Sequence, residues 1–593
     1  MMILGIHWFD FAIVMAYFVV VLYVGVFQGG RRTKTLGDFF VAGGKWGALV
    51  SFIFIFASAV AGNEAVVVGG QAYESGLSGV WYWWSFLFAT PVYYLFSTYF
   101  RRARVYNVSE FFEMRYERYA AALYSVIAGV ICILFIGMFV LAIAKILAGL
   151  TATSQAAGIT TLNQQQCVWI ITLIVGAYVC SGGMMSTLLT DVLQGLMCLF
   201  ILSFILLPFL WIRAGGWESL QQYSAANPGL WNLVDPRKMT IWTILALNMS
   251  ALVGGIAAPW IYNWIAVSKN EKAATQCGWG HLWKRIVTLL FAVYGILFAI
   301  YRPGLEDPEQ SWGVVMGEIL PVGVLGLLIA SFFAAAMSSA ATYATTSSAM
   351  IIDYLYRRTL RPGRNMEHYL LVARLWVIVT VLLAAISTMY VNSIKDYVTL
   401  ALTLLSFLGI PIYFGVAWRR ANCTGMWLSL MGGIVTYLVV VAVVMTRNHL
   451  GFVDAIKPAF VPAVFCSTSV SLVGMVLGSL FGKPDDALKI KRFHVIMHTP
   501  IGREQRLVDA GIRLPALVDA GLVPAGPEQL DAAAIERLYE QDSRDKLFGA
   551  ASAIELRREP ELPWYYPGFF RIVLACVALV VGTWFITRIL FIW

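Results

Sequence analysis

Charge is what this sequence has least of. Only 13% of its 593 residues are Asp, Glu, Lys or Arg, against 60% hydrophobic residues, and the mean hydropathy is +0.74. A chain so poor in charge cannot clothe a water-soluble surface, which excludes a soluble globular protein and indicates a polytopic membrane protein. Histidine is scarce as well, at six residues, and the eight cysteines (Cys132, Cys167, Cys180, Cys198, Cys277, Cys423, Cys466 and Cys576) include no C-x-x-C spacing. The thiols read as packing residues rather than disulfides or ligands. His494 and His498 lie four apart, without acidic or Cys neighbours at metal-ligand spacing. No nucleophile or metal constellation supports a membrane enzyme. The excess of 42 Lys+Arg over 33 Asp+Glu is the topological excess normal in an apolar chain, and no basic-aromatic motif points to nucleic acid.

What the sequence has in quantity is long apolar runs. Stretches able to cross ~30 Å of hydrocarbon fall near 7–28, 46–73, 78–99, 118–150, 166–183, 186–213, 240–268, 278–301, 316–352, 367–392, 395–418, 423–446, 459–482 and 566–591, which predicts about fourteen transmembrane helices. The first lacks a basic n-region and a small-residue cleavage site, and reads as a retained helix rather than a signal peptide. Basic residues gather in every second loop: Arg31, Arg32, Lys34 and Lys45; Arg101, Arg102, Arg104 and Arg115; Lys269, Lys272, Lys284 and Arg285; Arg357, Arg358, Arg361 and Arg364; Arg419 and Arg420. Those loops and the polar segment 483–565 are therefore expected in the cytoplasm, with both termini outside. DAAAIERLYEQD predicts a short amphipathic helix in that segment.

Two spans are broken at matching places. The second carries Gly62, Asn63 and Glu64 followed by Gly69 and Gly70; the seventh carries Gly254, Gly255 and Pro259. Gly and Pro weaken a helix, and the freed backbone groups must line a cavity or lie buried in protein. Paired breaks heading two five-helix units, 46–213 and 240–418, predict an inverted-repeat transporter with ligands near the midplane. Segments 1–45, 419–482, 483–565 and 566–593 surround those units as a first helix and loop, additional helices, a cytoplasmic segment and a last helix. The ninth span, SFFAAAMSSAATYATTSSAMIIDY from Ser331 to Tyr354, places Ala335, Ser338, Ser339, Thr342, Thr345 and Thr346 on one face. Such a face suits either a dehydrated cation needing oxygen ligands or close helix packing through small residues.

DFFVAGGK at 38–45, YVCSGGMMSTLLTDVLQGLM at 178–197, AAMSSAATYATTSSAMIIDYLY at 335–356 and GIPIYFGVAWRRANCTGMWLSLMGG at 409–433 resemble, in the right order and on the right helices, the sodium/solute symporter family. The resemblance covers about 7–482 and implies an all-α, leucine-transporter-like five-plus-five fold. It implies a sodium (Na+) site built from carbonyls at Ala57, Val60 and Ala335 and the hydroxyls of Ser338 and Ser339. Thr190 and Asp191 match the family's Thr-Asp pair, where the acid supports the sodium region or supplies a second cation site.

For the solute, the resemblance to the family's sugar transporters implies a polar contact at Glu64, next to Asn63, a carboxylate where this chain has Trp83 and an aromatic gate where it has Gly254. Both departures argue against a simple sugar. Trp81, Tyr82, Trp83, Trp84, Trp260, Tyr262 and Trp264 offer aromatic faces that, with Glu64, suit an organic cation or amine. Trp81 to Trp84 equally reads as an interfacial belt. The expected function is sodium-coupled import of a small organic solute across the plasma membrane by alternating access. The alternatives are a sugar symporter with an altered pocket and a solute sensor signalling through 483–565. The implied partners are sodium, the solute and the lipid bilayer, with no obligatory protein partner evident.

Overall fold

The protein is described by a computed structural model covering residues 2–3, 6–24, 36–59, 62–154, 162–179, 183–524 and 526–591. In chain order the helices that matter here are α1 (Trp8–Leu22), α2 (Ala48–Ala59), α3 (Gly62–Ser75), α4 (Thr90–Ala103), α5 (Arg118–Ser154), α6 (Gln164–Val179), α7 (Gly183–Phe200), α8 (Ile241–Gly254), α9 (Pro259–Ala266) and α10 (Gln276–Tyr301). They continue as α11 (Val324–Ser348), α12 (Met366–Ser387), α13 (Ile394–Ser406), α14 (Gly409–Ala417), α15 (Cys423–Asn448), α16 (Phe452–Phe481), α17 (Ala487–His498), α18 (Pro515–Asp519), α19 (Ala532–Ser543) and α20 (Tyr565–Phe591).

Among the described residues nine helices are long and apolar enough to cross a membrane, eleven when each of two bent pairs counts as one span, with α1 and α6 as shorter apolar helices. These counts do not confirm the expected fourteen. The clearest reason lies at 78–99, where one span was expected. There the chain from Gly76 to Trp84 prolongs the preceding bent span, and α4 starts only at Thr90 with Pro91 in its first turn.

The two bent spans are those that Gly and Pro predict. Ala48–Ser58 and Gly62–Trp84 differ in direction by 49°, and Ile241–Ala257 and Pro259–Ala266 by 52°. Pro259 opens α9 after Ala258 has left the helical region at ψ 117°, since the residue before a proline is pushed toward extended backbone. α10 packs against α3 and α2, α7 against α11 and α2, and α11 against α5 and α1. Gly295 of α10 lets α3 approach: a Cβ there would stand 2.1 Å from the Gly69 carbonyl oxygen. α15 and α16 pair side by side, and much of α20 is exposed, as a peripheral helix in lipid would be.

The segment 483–565 is folded against the ends of the helices. Its amphipathic helix appears as α19, capped by Asp531, whose side chain accepts from the Ala533 and Ala534 amides.

Candidate ion and solute site

Three helices bring oxygens together where α2 ends. From α11, Ser339 donates its hydroxyl to the Ala335 carbonyl at 3.0 Å and lies 3.5 Å from the Ser58 carbonyl of α2. Ser58 in turn donates its hydroxyl to the Asp191 carboxylate of α7. Ser338 lies within interaction range of the same carboxylate, yet its hydroxyl and Asp191 Oδ1 make no hydrogen bond of good geometry. Ala57, Ser58, Asp191, Ala335, Ser338 and Ser339 are all buried. Close approach is possible because α7 presents Gly195 to α2; a Cβ there would lie 2.2 Å from that of Ala57. Val60 lies outside the described residues.

The hydroxyl run on α11 divides into two kinds. Ser331, Thr345 and Thr346 return their protons to the carbonyl four residues back, at 2.7, 2.8 and 2.6 Å, which satisfies them within the helix. Thr346 also accepts from Asn263 of α9 at 2.6 Å. Ser338 and Thr342 are buried, and among the described residues Thr342 has no partner while Ser338 has only the Asp191 carboxylate within range. Oxygen donors with spare lone pairs beside a carboxylate are what a monovalent hard cation requires.

Next to this oxygen cluster lies a cavity of about 30 Å³, far below what an organic solute needs. Ser58 and Ser339 border it, which makes the oxygen cluster and the cavity neighbours. One wall is aromatic: Trp260 and Tyr343 have ring centroids 4.5 Å apart, Phe135 lies 4.6 Å from Trp260, and Phe139 lies 5.2 Å from Tyr343. The other wall is polar and belongs mainly to α10, with His281, Lys284 and Arg285 facing Trp83, Tyr93 and Trp264.

Lys284 and Arg285 correct the sequence reading, which counted them among cytoplasmic loop residues. They sit inside the first half of α10, 3% and 1% exposed. Lys284 forms an ion pair with Glu64 and lies 5.4 Å over the Trp83 ring; Arg285 donates to the Trp83 carbonyl. Their positions inside the expected span 278–301 were the available signal. An ionisable residue within such a span is a functional candidate by default. His281 falls within the same span and was also missed.

Of the expected solute residues, Trp83 and Trp260 line the cavity. Glu64 stands behind Lys284, fully buried and also accepting from Thr288. Asn63 is turned toward Met138, its amide nitrogen 3.4 Å from the sulfur. Gly254 serves helix packing: a Cβ there would stand 2.5 Å from the Leu405 backbone, and the residue does not line the cavity. The expected interfacial belt at Trp81 to Trp84 is overturned, because all four side chains are buried; Trp81 and Trp84 donate to the carbonyls of Leu233 and Arg285 at 2.7 and 2.9 Å.

A second set of contacts closes the structure beyond the far end of α3. Lys395 reaches Gln71 at 3.0 Å, and Lys145 pairs with Glu309 at 2.6 Å. Glu309 also receives the amides of Ile394 and Lys395 at 3.1 and 3.2 Å, capping α13.

Comparison with known proteins agrees with this architecture. The chain is 23% identical over 502 residues to the osmoregulated proline transporter OpuE of Bacillus subtilis, covering 80% of this chain and 98% of that protein. It is 24% identical over 493 residues to the sodium/pantothenate symporter of Escherichia coli (79% and 95%), and 24% identical over 536 residues to sodium/glucose cotransporter 2 of Rattus norvegicus (79% and 76%). A solved structure of a Na+-coupled sialic acid symporter in a substrate-bound outward-open state superposes with a TM-score of 0.65 at 18% identity, covering 81% of this chain and 98% of that one, so the two share a fold. The family description "Sodium:solute symporter family" matches residues 39–435, about two thirds of the sequence, and the chain belongs to that family.

Proposed function

We propose that the protein imports a small organic solute by sodium-coupled symport, with sodium held between α2, α7 and α11 and the solute in the adjoining aromatic cavity. The observation that carries this reading is the meeting of Ser339, the Ser58 carbonyl and the Asp191 carboxylate beside that cavity. Sodium there would neutralise the carboxylate and draw Ser338 into use, fixing the end of α2 against α11. A solute seated against the same two serines then meets an ordered wall. Each ligand stabilises the state the other prefers, and the coupling is reciprocal. Entry of sodium down a membrane potential supplies about 2.3 kcal/mol per charge per 100 mV. Fourteen helices, two inverted five-helix units at 46–213 and 240–418, and cytoplasmic basic loops are the arrangement that suits this cycle. The relatives carry proline, pantothenate and glucose by name. Trp83 and Gly254, where sugar carriers differ, favour a solute other than a simple sugar. The test is a thermal-shift screen of solutes in sodium against potassium, followed by uptake of the hits into proteoliposomes. A hit should accumulate several-fold more with an inward sodium gradient; uptake indifferent to sodium contradicts the reading.

A further inference from the structure

The polar wall of the cavity carries an imbalance of charge and of hydrogen-bond donors. Two cations, Lys284 and Arg285, are neighbours in sequence on α10 and line the same buried wall, and among the described residues the one carboxylate acting on either is Glu64. The Lys284–Glu64 pair is neutral as a unit, which leaves Arg285 as an uncompensated positive charge in a region cut off from water. Such a charge is costly to bury unless something anionic joins it. The donors tell the same story. Among the described residues Trp264 Nε1, which can only donate, has no partner; the Tyr93 hydroxyl and both ring nitrogens of His281, at least one of them a donor, are likewise buried and unpartnered. Tyr93 and Trp264 flank the His281 ring at centroid distances of 4.9 and 5.2 Å, so the unmet donors form one cluster.

Resting on the symporter reading, we propose that the solute is a monocarboxylate anion with an apolar or aromatic body. Its carboxylate meets Lys284, Arg285 and the Tyr93–His281–Trp264 donors, and its body lies against Trp260 and Tyr343. A neutral polyol leaves the positive charge unmatched. An amine brings a further positive charge to Lys284 and Arg285, which reverses the organic-cation expectation drawn from Glu64 and the aromatic residues alone. The anion would also lie beside Ser58 and Ser339, so the attraction between it and sodium acts across a shared wall. Admission of the solute requires the two walls to move apart, since the cavity is now about 30 Å³.

The experiment uses the full chain in detergent. Melting is measured in sodium and in potassium chloride with propanoate, isobutyrate, benzoate and phenylpropanoate, and with the matched amides and amines. At least one carboxylate should raise the melting temperature in sodium, with its amide and amine at least tenfold weaker. Lys284→Gln should abolish the shift. Tyr93→Phe, which removes one hydroxyl, should weaken it several-fold and guards against a misfolded Lys284 variant. Glu64→Gln, which removes the competing anion, should leave carboxylate binding intact or tighten it, whereas a cation site would be destroyed. Amines or polyols binding where carboxylates do not, or carboxylates inert in a protein that sodium alone stabilises, overturn the inference and leave symport standing. Carboxylate binding equal in sodium and potassium supports the inference and sinks the coupling. Carboxylates inert in both salts, with no response to sodium, sink both.

Discussion

Ser338 and Ser339 are neighbours in sequence with different employment: the Ser339 hydroxyl is tied to Ala335 and approaches Ser58, while that of Ser338 is buried within range of the Asp191 carboxylate. Replacing either by Ala removes one of the proposed oxygen ligands at small packing cost. Each is expected to raise the sodium concentration for half-maximal stabilisation about tenfold, the loss of one contact to a charge worth about 1.5 kcal/mol. Asp191→Asn removes the charge itself and should cost more than either serine, read in the same sodium titration. The serines were legible because hydroxyls recurring on one helical face stand out in an apolar run. Asp191 was legible because a carboxylate there has no cheap alternative. Lys284 and Arg285 were not, since a basic pair near a span's edge looks like a loop, and their partner Glu64 lies more than two hundred residues away on another helix.

Among the elements, the contact of α7 with α2 depends on one missing side chain. Gly195→Ala would force a methyl group into the space of the Ala57 Cβ. It should cost about 1–3 kcal/mol in stability and weaken sodium binding as Asp191 is carried away from Ser58; melting curves with and without sodium check both. α17 makes a different prediction. Burial, with Arg557, Arg102 and Lys546 nearby, pushes the His498 imidazole down to about 3, while the ring meets the Glu555 carbonyl at 3.1 Å. The unfolded chain binds this proton near pH 6.5 and the folded chain does not, so stability falls as pH drops from about 6.5 toward 3, by up to ~1.4 kcal/mol per pH unit. His498→Gln should flatten that slope in a pH series of melting curves. The change of direction from Ala48–Ser58 to Gly62–Trp84 and the bend at Ala258 were legible from Gly and Pro. The true course of 76–90 was not, because Trp-rich sequence reads equally as the start of a membrane helix, and only tertiary packing buries all four aromatic residues.

At the scale of the whole molecule, the segment 483–565 is fastened to the transport body through buried arginines. Arg102 holds Glu559 through two contacts at 2.8 and 2.9 Å and Glu271 at 3.1 Å; Arg104 meets the Thr499 and Pro500 carbonyls at 3.1 and 2.7 Å. Arg102→Met would strand two buried carboxylates, at a cost of about 3–5 kcal/mol. The expected result is a lower melting temperature and faster tryptic cleavage within 483–565. The sequence marked this segment as polar and helical in part, but not as clamped, because every one of these pairs spans well over a hundred residues. The account as a whole stands on sodium and solute sharing the corner between α2 and α11. Its most direct test is the sodium dependence of solute uptake in proteoliposomes for the wild type and the Ser338→Ala/Ser339→Ala double variant. The account predicts uptake that rises with the sodium gradient in the wild type and needs at least tenfold more sodium in the variant; identical sodium curves for the two proteins would contradict it.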